Sequence, residues 1–385
     1  FRNMPELQEL IPKAQEVREV RIELTPERGF LVHLEKPLRI LSRLDLARWQ
    51  LDRAVRAGVT LVSQGVRGIR RTPAGWLVRT EEERDFQVRL LVGADGAASL
   101  VRRVASPELK VELVPTRVRF PAGEGPTPDR AVMRFYDGVG GYLWDFPRND
   151  HRSIGIGLPG RGWGRVRFDS EIDTHLESAQ RCICQLGERA GAVIGTAQLG
   201  HGDYSLVGDS DFALLGDAAG FADPTTGEGI QNALVSADLL AEAWRDSGDF
   251  ATYPSMAKRA FEREFKLGRG ARRLLFESGV GVRAIGLAMA SRSGYALIAS
   301  LTNAFNAHEW SARTVFARWW RMRRTLPRGS SRAAATARAA ASCACGCSSD
   351  AEPLPGRSVG ARWPTGRVPT SECLPSSVGA ETALQ

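Results

Sequence analysis

Five histidines and six cysteines among 385 residues leave little material for a metal centre or a disulfide framework. Four cysteines, Cys343, Cys345, Cys347 and Cys373, lie near the C-terminal end, and Cys182 and Cys184 are spaced so that they cannot share a helix face. This scarcity implies a reducing, cytoplasmic setting. The Cys343, Cys345 and Cys347 run has no nearby histidine and sits in a low-complexity segment, so no metal site is assigned. No transmembrane segment stands out, since Arg283 and Arg292 interrupt the moderately apolar stretch 279–300, and no leading charged and apolar stretch resembles a signal peptide. Past Pro327 the chain has no Ile, Phe, Tyr, Met or Lys. A packed core is implausible there, and 327–385 is expected to be a disordered tail, a composition that a shifted reading frame would also produce. His151 is expected at a turn, and no histidine joins an acid/base constellation, so no catalytic residue is assigned.

The net charge of +8 does not point to nucleic acid, because no recognised binding module accompanies it. Much of the excess is local: Arg313, Arg318, Arg321, Arg323 and Arg324 interleave with Phe316, Trp319 and Trp320. The segment 312–324 reads either as an interfacial helix on anionic lipid or as a final helix that packs its tryptophans on the body and solvates its arginines.

The most informative stretch is Phe212 to Ile230. Its apolar start reads as a short buried strand that ends at Gly216-Asp217, where backbone can pass close to a ligand. After a loop punctuated by Pro224, Gly227 and Gly229 open a helix with Ile230, Ala233, Leu234, Ala237, Leu240, Ala241 and Trp244 on one face. The free amides and positive dipole end of that helix favour anionic or electron-rich groups. Upstream, Leu90-Leu91-Val92 reads as a strand running into Gly93-Ala94-Asp95-Gly96, in which Asp95 can accept bonds from the amides of the following turn. A third element is Gly141-Tyr142-Leu143-Trp144-Asp145-Phe146-Pro147, followed after seven residues by Gly155-Ile156-Gly157. Period two places Tyr142, Trp144 and Phe146 on one strand face as an aromatic wall, either of a pocket or of ordinary sheet core. On the next strand Gly155 and Gly157 leave room for a ligand or another strand, and Ile154, Ile156 and Leu158 take the opposite side.

These motifs resemble a known group. Leu215 to Ala219 followed by Pro224 to Ile230 is similar to the second FAD fingerprint of flavoproteins built like para-hydroxybenzoate hydroxylase, and the Asp95-Gly96 element and Arg43-Leu44-Asp45 resemble two further signatures. The Tyr-x-Trp-x-Phe-Pro and Gly-x-Gly spacing resembles the geranylgeranyl reductases within that fold. The resemblance implies an FAD contact by Asp217 and Gly216, by Pro224, Gly227, Gly229 and Ile230, and by Asp95, Gly96 and Arg43, with Tyr142, Trp144 and Phe146 against substrate. Arg43 could equally be a solvated surface arginine. The implied fold is α/β (α+β): a three-layer FAD-binding domain, an inserted antiparallel-sheet substrate domain and C-terminal helices. The expected division is 1–108 and 206–250 for the FAD domain, 109–205 for the substrate domain, 251–326 for helices and 327–385 for the tail.

The implied activity is FAD-dependent reduction of C=C bonds in an isoprenoid or similarly apolar substrate, with NAD(P)H or another donor recharging the flavin. Lipid contact would suit such a substrate. Alternatives are an aromatic or polyketide monooxygenase on the same fold, and a non-catalytic remnant that binds no FAD. The remnant reading arises because Phe1 to Arg21 contains no glycine, where a Gly-x-Gly-x-x-Gly turn in a roughly 30-residue βαβ unit would hold the pyrophosphate. The N-terminal region is therefore expected to be missing, and the chain alone to hold FAD weakly. The pattern Gly155 to Gly160 is read as a decoy, because Pro159 and the lack of a following helix argue against a phosphate turn.

Overall fold

The computed structural model describes residues 5–25, 28–121, 129–136, 140–159, 167–178, 189–197, 203–278, 280–306 and 312–325. Cys182, Cys184, the four tail cysteines and the tail 327–385 lie outside the described residues.

Three sheets and a layer of helices form a mixed α/β architecture. The largest sheet has seven strands in the order β11-β7-β10-β9-β8-β1-β2. These are β1 (Gln15–Glu23), β2 (Gly29–Ile40), β7 (Val111–Arg119), β8 (Arg130–Phe135), β9 (Tyr142–Pro147), β10 (Arg152–Gly157) and β11 (Arg189–Ala197). All neighbours are antiparallel except β1 and β8. A three-stranded antiparallel sheet comprises β3 (Val66–Thr72), β4 (Gly75–Thr80) and β5 (Asp85–Val88), and a parallel pair comprises β6 (Leu91–Gly93) and β12 (Phe212–Leu214). The helices are α1 (Arg43–Arg56), α2 (Leu100–Ala105), α3 (Phe168–Ser178), α4 (Ile230–Ser247), α5 (Tyr253–Arg272), α6 (Gly281–Met289), α7 (Arg292–Asn306) and α8 (Ala312–Thr325).

Two details depart from the sequence reading. Thr60 to Val66 has the composition of a short strand and is expected as one from the sequence, but residues 60–65 pair with no ladder, and Leu61 is exposed. The β propensity of Thr-Leu-Val finds no partner strand and has no effect. The expected cut at 108 separates β1 and β2 from the sheet of 109–205, yet β1 pairs along β8 from Glu19 to Glu23, so the N-terminal hairpin completes the large sheet.

The large sheet has two chemically opposite faces. On one, Val20, Ile22, Phe30, Val32, Ala131 and Phe146 pack with Met289 and Ala299 of α6 and α7. A register shift between Val17 and Glu19 lets Val17 join this core despite its odd spacing from Val20. On the other face, Leu143, Ile154, Ile156 and Leu158 meet Ile172 and Leu176 of α3. Beside them lies a buried charge layer. The Asp145 carboxylate accepts from Arg152 Nε at 2.6 Å and from His175 Nε2 at 2.9 Å. Arg134 donates to Glu23 Oε2 at 2.8 Å and to His175 Nδ1 at 3.0 Å. Arginine can only donate, so His175 Nδ1 accepts and the proton sits on Nε2, facing Asp145. The sequence reading found no histidine constellation, because Asp145, His175 and Arg134 are joined only by strand register and the seating of α3.

A second core lies under the parallel pair. Trp76 meets Phe212 edge to face at 6.2 Å, Phe261 and Phe265 of α5 stack at 5.5 Å, and Phe221 lies against Phe261 at 4.6 Å. The Tyr253 hydroxyl donates to Leu214 O at 2.7 Å, closing the end of β12.

Removing one member of the charge layer strands its partners in a dry interior. Asp145→Ala is expected to cost about 3–5 kcal/mol of stability, the usual penalty for breaking a buried ion pair. Urea unfolding of wild type and variant measures it, and a loss below about 1 kcal/mol would show that water reaches these groups.

Candidate functional site

The parallel strands β6 and β12 end side by side, Leu215 N donating to Gly93 O at 2.9 Å, and each runs into an Asp-bearing turn. Ligands of open α/β sheets bind outside such carboxyl ends. The two carboxylates do different things there. Asp95 is consumed by its own helix: Oδ1 accepts from Ser99 Oγ at 2.6 Å, and Oδ2 from Leu100 N at 2.6 Å and Val101 N at 3.1 Å. Gly96, with φ +73°, makes the turn between them possible. This cap sets the start of α2, whose Arg102 is buried and donates to Ala218 O at 2.8 Å, bracing the turn that carries Asp217.

Asp217 instead reaches toward other segments. Its Oδ2 accepts from Gly195 N of β11 at 3.2 Å, and its Oδ1 stands beside Gly229, where a Cβ would come within 2.7 Å. Gly216 has φ +49° and donates its amide to Ser236 Oγ at 3.1 Å, and a Cβ there would press on Ala233 at 2.9 Å. The turn and α4 are therefore packed backbone to backbone. Burial pushes the Asp217 carboxyl above its ordinary value, while the Gly195 amide and the charge of Arg43 pull the other way. Arg43, the first residue of α1, acts on Tyr142 as well. Residues from four distant parts of the chain thus share one place.

The loop before α4 is shaped by Asp223, which the sequence reading did not single out. Its Oδ1 accepts from Thr225 N at 2.9 Å, Thr226 N at 2.7 Å and Thr226 Oγ1 at 3.0 Å. Asp ahead of Pro-Thr-Thr is an Asx-turn signal that could have revealed it. Pro224 lies against α5, 3.0 Å from where a Cβ on Gly268 would stand, and Gly227 (φ +73°) turns the chain into Gly229 and Ile230. No side chain caps α4. Its first amides are left for another acceptor.

Tyr142 and Trp144 share a face of β9 with Phe146, as the period predicts, but the three go different ways. The Tyr142 hydroxyl donates to Thr226 O at 2.8 Å, tying the sheet to the loop. Burial, helped by Glu228 and Asp223, pushes that hydroxyl above its ordinary range, so it stays protonated as a fixed donor. Trp144 lies edge-on to Tyr142 at 6.1 Å and covers Gly155, where a Cβ would meet its Cζ2 at 2.3 Å. The space expected for a ligand over that glycine is filled by the indole. Phe146 packs into the core against β1, β2, α6 and α7. Gly155 and Gly157 are strand residues of β10, so the pattern begun there is no phosphate turn.

The arrangement fits part of a flavin dinucleotide. Asp217 can accept from a sugar hydroxyl, Arg43 supplies positive charge beside it, and the uncapped start of α4 presents amides to carbonyl or ring-nitrogen acceptors. The close approach at Gly229 leaves the cradle open only because no side chain stands there.

Since the folded-state value of Asp217 is raised, its contribution to stability is fully present below the ordinary carboxylate value near 3.8 and is lost as pH rises through the raised value. At neutral pH the ionised carboxylate is a cost in the ligand-free chain. Asp217→Asn is expected to melt at a higher temperature than wild type at pH 7 without FAD, and this gain should vanish below pH 4. The same variant in a flavin-binding form of the protein should hold FAD more weakly by about 1.5–3 kcal/mol. Calorimetry across pH and flavin titration test the pair, and an unchanged melt with unchanged affinity would make Asp217 a turn residue only.

No protein-family model matches the chain. In sequence it is similar to digeranylgeranylglycerophospholipid reductase 1 of Methanopyrus kandleri, 26% identical over 59% of this chain and 64% of that protein. It is also similar to digeranylgeranylglycerophospholipid reductase 1 of Methanococcoides burtonii, 32% identical over 40% of this chain and 39% of the relative. The match thus spans less than two thirds of these relatives' length. In fold it is similar to a geranylgeranyl bacteriochlorophyll reductase-like protein of Thermoplasma acidophilum, with TM-score 0.52 and 21% identity over 69% of this chain and 74% of the other. PqsL of Pseudomonas aeruginosa, described as a probable FAD-dependent monooxygenase, has TM-score 0.52 and 22% identity over 72% and 84% of the two chains. The chain resembles the geranylgeranyl reductases in sequence and has the fold of FAD-binding oxidoreductases.

Proposed function

We propose that this chain is the flavin-cradling part of an FAD-dependent oxidoreductase that reduces carbon–carbon double bonds in an isoprenoid or similarly apolar substrate. The observation that carries the proposal is the convergence of Asp217, the uncapped start of α4 and the Tyr142–Trp144 face of β9, which the Tyr142–Thr226 hydrogen bond ties to the glycine loop. When bound in its reduced form, FAD would supply the hydride while a proton adds to the neighbouring carbon, and NAD(P)H or another donor would re-reduce the oxidised flavin. The protein's share is binding and shape. Asp217 and Arg43 would hold the sugar side, Gly229 and Ile230 would meet the ring edge, and Asp95 would act at one remove through Gly96, α2 and Arg102. Tyr142 fixes the loop through Thr226 O, which leaves Trp144 to line the apolar side. The Tyr-x-Trp-x-Phe-Pro spacing and the names of the sequence relatives favour reduction.

A monooxygenase is the second reading, favoured by the fold shared with PqsL. Oxygen separates the two. A form of the protein that retains FAD, reduced chemically and given a polyprenyl lipid under anaerobic conditions, is expected to yield the more saturated lipid. A hydroxylated product that forms only with oxygen would overturn the reductase reading.

A further inference from the structure

The last helix divides into two faces. Inward, Arg318 Nε donates to Glu35 Oε2 at 3.0 Å, Trp319 Nε1 donates to Ser293 O at 3.0 Å, and Met322 packs on the core of the large sheet. Outward lie Arg313, Phe316, Ala317, Trp320, Arg321 and Arg324, the three-and-four spacing of one helix side. Phe316 is 59% exposed and Trp320 45% exposed, and their rings stack at 6.4 Å. Arg324 lies over the Trp320 ring at 5.2 Å. The helix contains five arginines and no acid. Beside the aromatic pair, Arg313, Arg318, Arg321, Thr314, Ala317 and Glu35 line a notch of about 380 Å³, large enough for a phosphate-bearing headgroup.

The neighbouring helices extend the apolar side. α7 packs on α8 and on α6, and Leu287 of α6 is 74% exposed. Leu274 and Val280, on the approach to α6, are exposed as well. Gly281–Met289 and Arg292–Ala304 together have the length and apolarity of a membrane span but are bent by 117°, and no single described helix has both. This helical layer is suited to lie along a bilayer, with arginines at headgroup depth and aromatic rings below them.

We propose that the outward face of α8 docks on an anionic phospholipid surface, through the Arg313, Arg321 and Arg324 side chains around the Phe316–Trp320 pair. Charge complementarity selects that occupant: a second copy of this chain would bring the three arginines of this face against three like charges, and a neutral apolar partner would leave them desolvated. Docking needs no flavin, so it stands or falls apart from the proposed activity.

The test is sedimentation of the full chain with vesicles of phosphatidylcholine containing 30% phosphatidylglycerol, against pure phosphatidylcholine, at two salt concentrations. Binding is expected on the anionic vesicles, falling as salt rises. The triple variant Arg313→Gln, Arg321→Gln, Arg324→Gln should lose on the order of a hundredfold in partitioning. Phe316→Ala with Trp320→Ala should bind several-fold more weakly at both salt concentrations, and thermal melts confirm that both variants fold. No binding to anionic vesicles, equal binding of the folded triple variant, or a dimer in solution that the double variant dissolves would each overturn the proposal.

Discussion

A single carboxylate has to be held half-buried without being neutralised by its own segment, and the site is arranged around that constraint. Asp217 emerges from the end of β12 into a turn whose backbone is pressed against α4, which holds its half-buried carboxylate beside Gly229. One amide of β11 and the charge of Arg43 are what it has in return. That is less than the two helix amides and hydroxyl that satisfy Asp95, and the difference separates a structural cap from a group held ready for a ligand. Two Asp residues after two parallel strands look alike in the chain and behave oppositely in space.

The large sheet supplies the wall behind this carboxylate, and its two faces are not interchangeable. A layer of Glu, Arg, Asp and His under α3 fixes the register of β1, β8, β9 and β10, because a one-residue slip would carry Asp145 and Arg134 into the apolar core on the opposite face. Correct register in turn delivers Tyr142 to Thr226 O and Trp144 over Gly155. The charge layer thus acts on the site without touching it, by deciding which residues of β9 face the glycine loop.

The C-terminal helices serve both sides of the molecule. α5 presses on Pro224 through the gap at Gly268, while α6 and α7 cover Phe146 and the β1–β2 hairpin. Arg272, at the end of α5, is bound by Glu112 of β7 at 2.9 Å through both terminal nitrogens, so the helical layer is tied to the large sheet near β11. Burial pulls the pKa of that guanidinium down, but the hydrogen bond and charge of Glu112 together with the charge and hydrogen bond of Glu277 hold it above the ordinary value.

Much of this was legible in the chain because it depends on local chemistry. The run Phe212–Leu214 stops where Gly216 needs a positive φ, Gly227 and Gly229 announce a helix start that tolerates close backbone approach, and period-two alternation predicts that Tyr142, Trp144 and Phe146 share a face. Alternation does not reveal what stands opposite a face. Only the tertiary structure decided that Trp144 fills the space left by Gly155, that Phe146 belongs to the core, and that His175 meets Asp145, because each contact joins different strands or helices. The same holds for Arg43: its position at the start of α1 is local, but its nearness to Asp217 and Tyr142 depends on how α1 seats against the end of a strand formed far along the chain. The basic aromatic segment 312–324 was visible as a pattern, and packing decided which of its residues face the body, turning Trp319 and Arg318 inward and leaving Phe316 and Trp320 to solvent. Sequence periodicity carries the faces of an element, whereas the partner of each face is set by long-range packing that no short window contains.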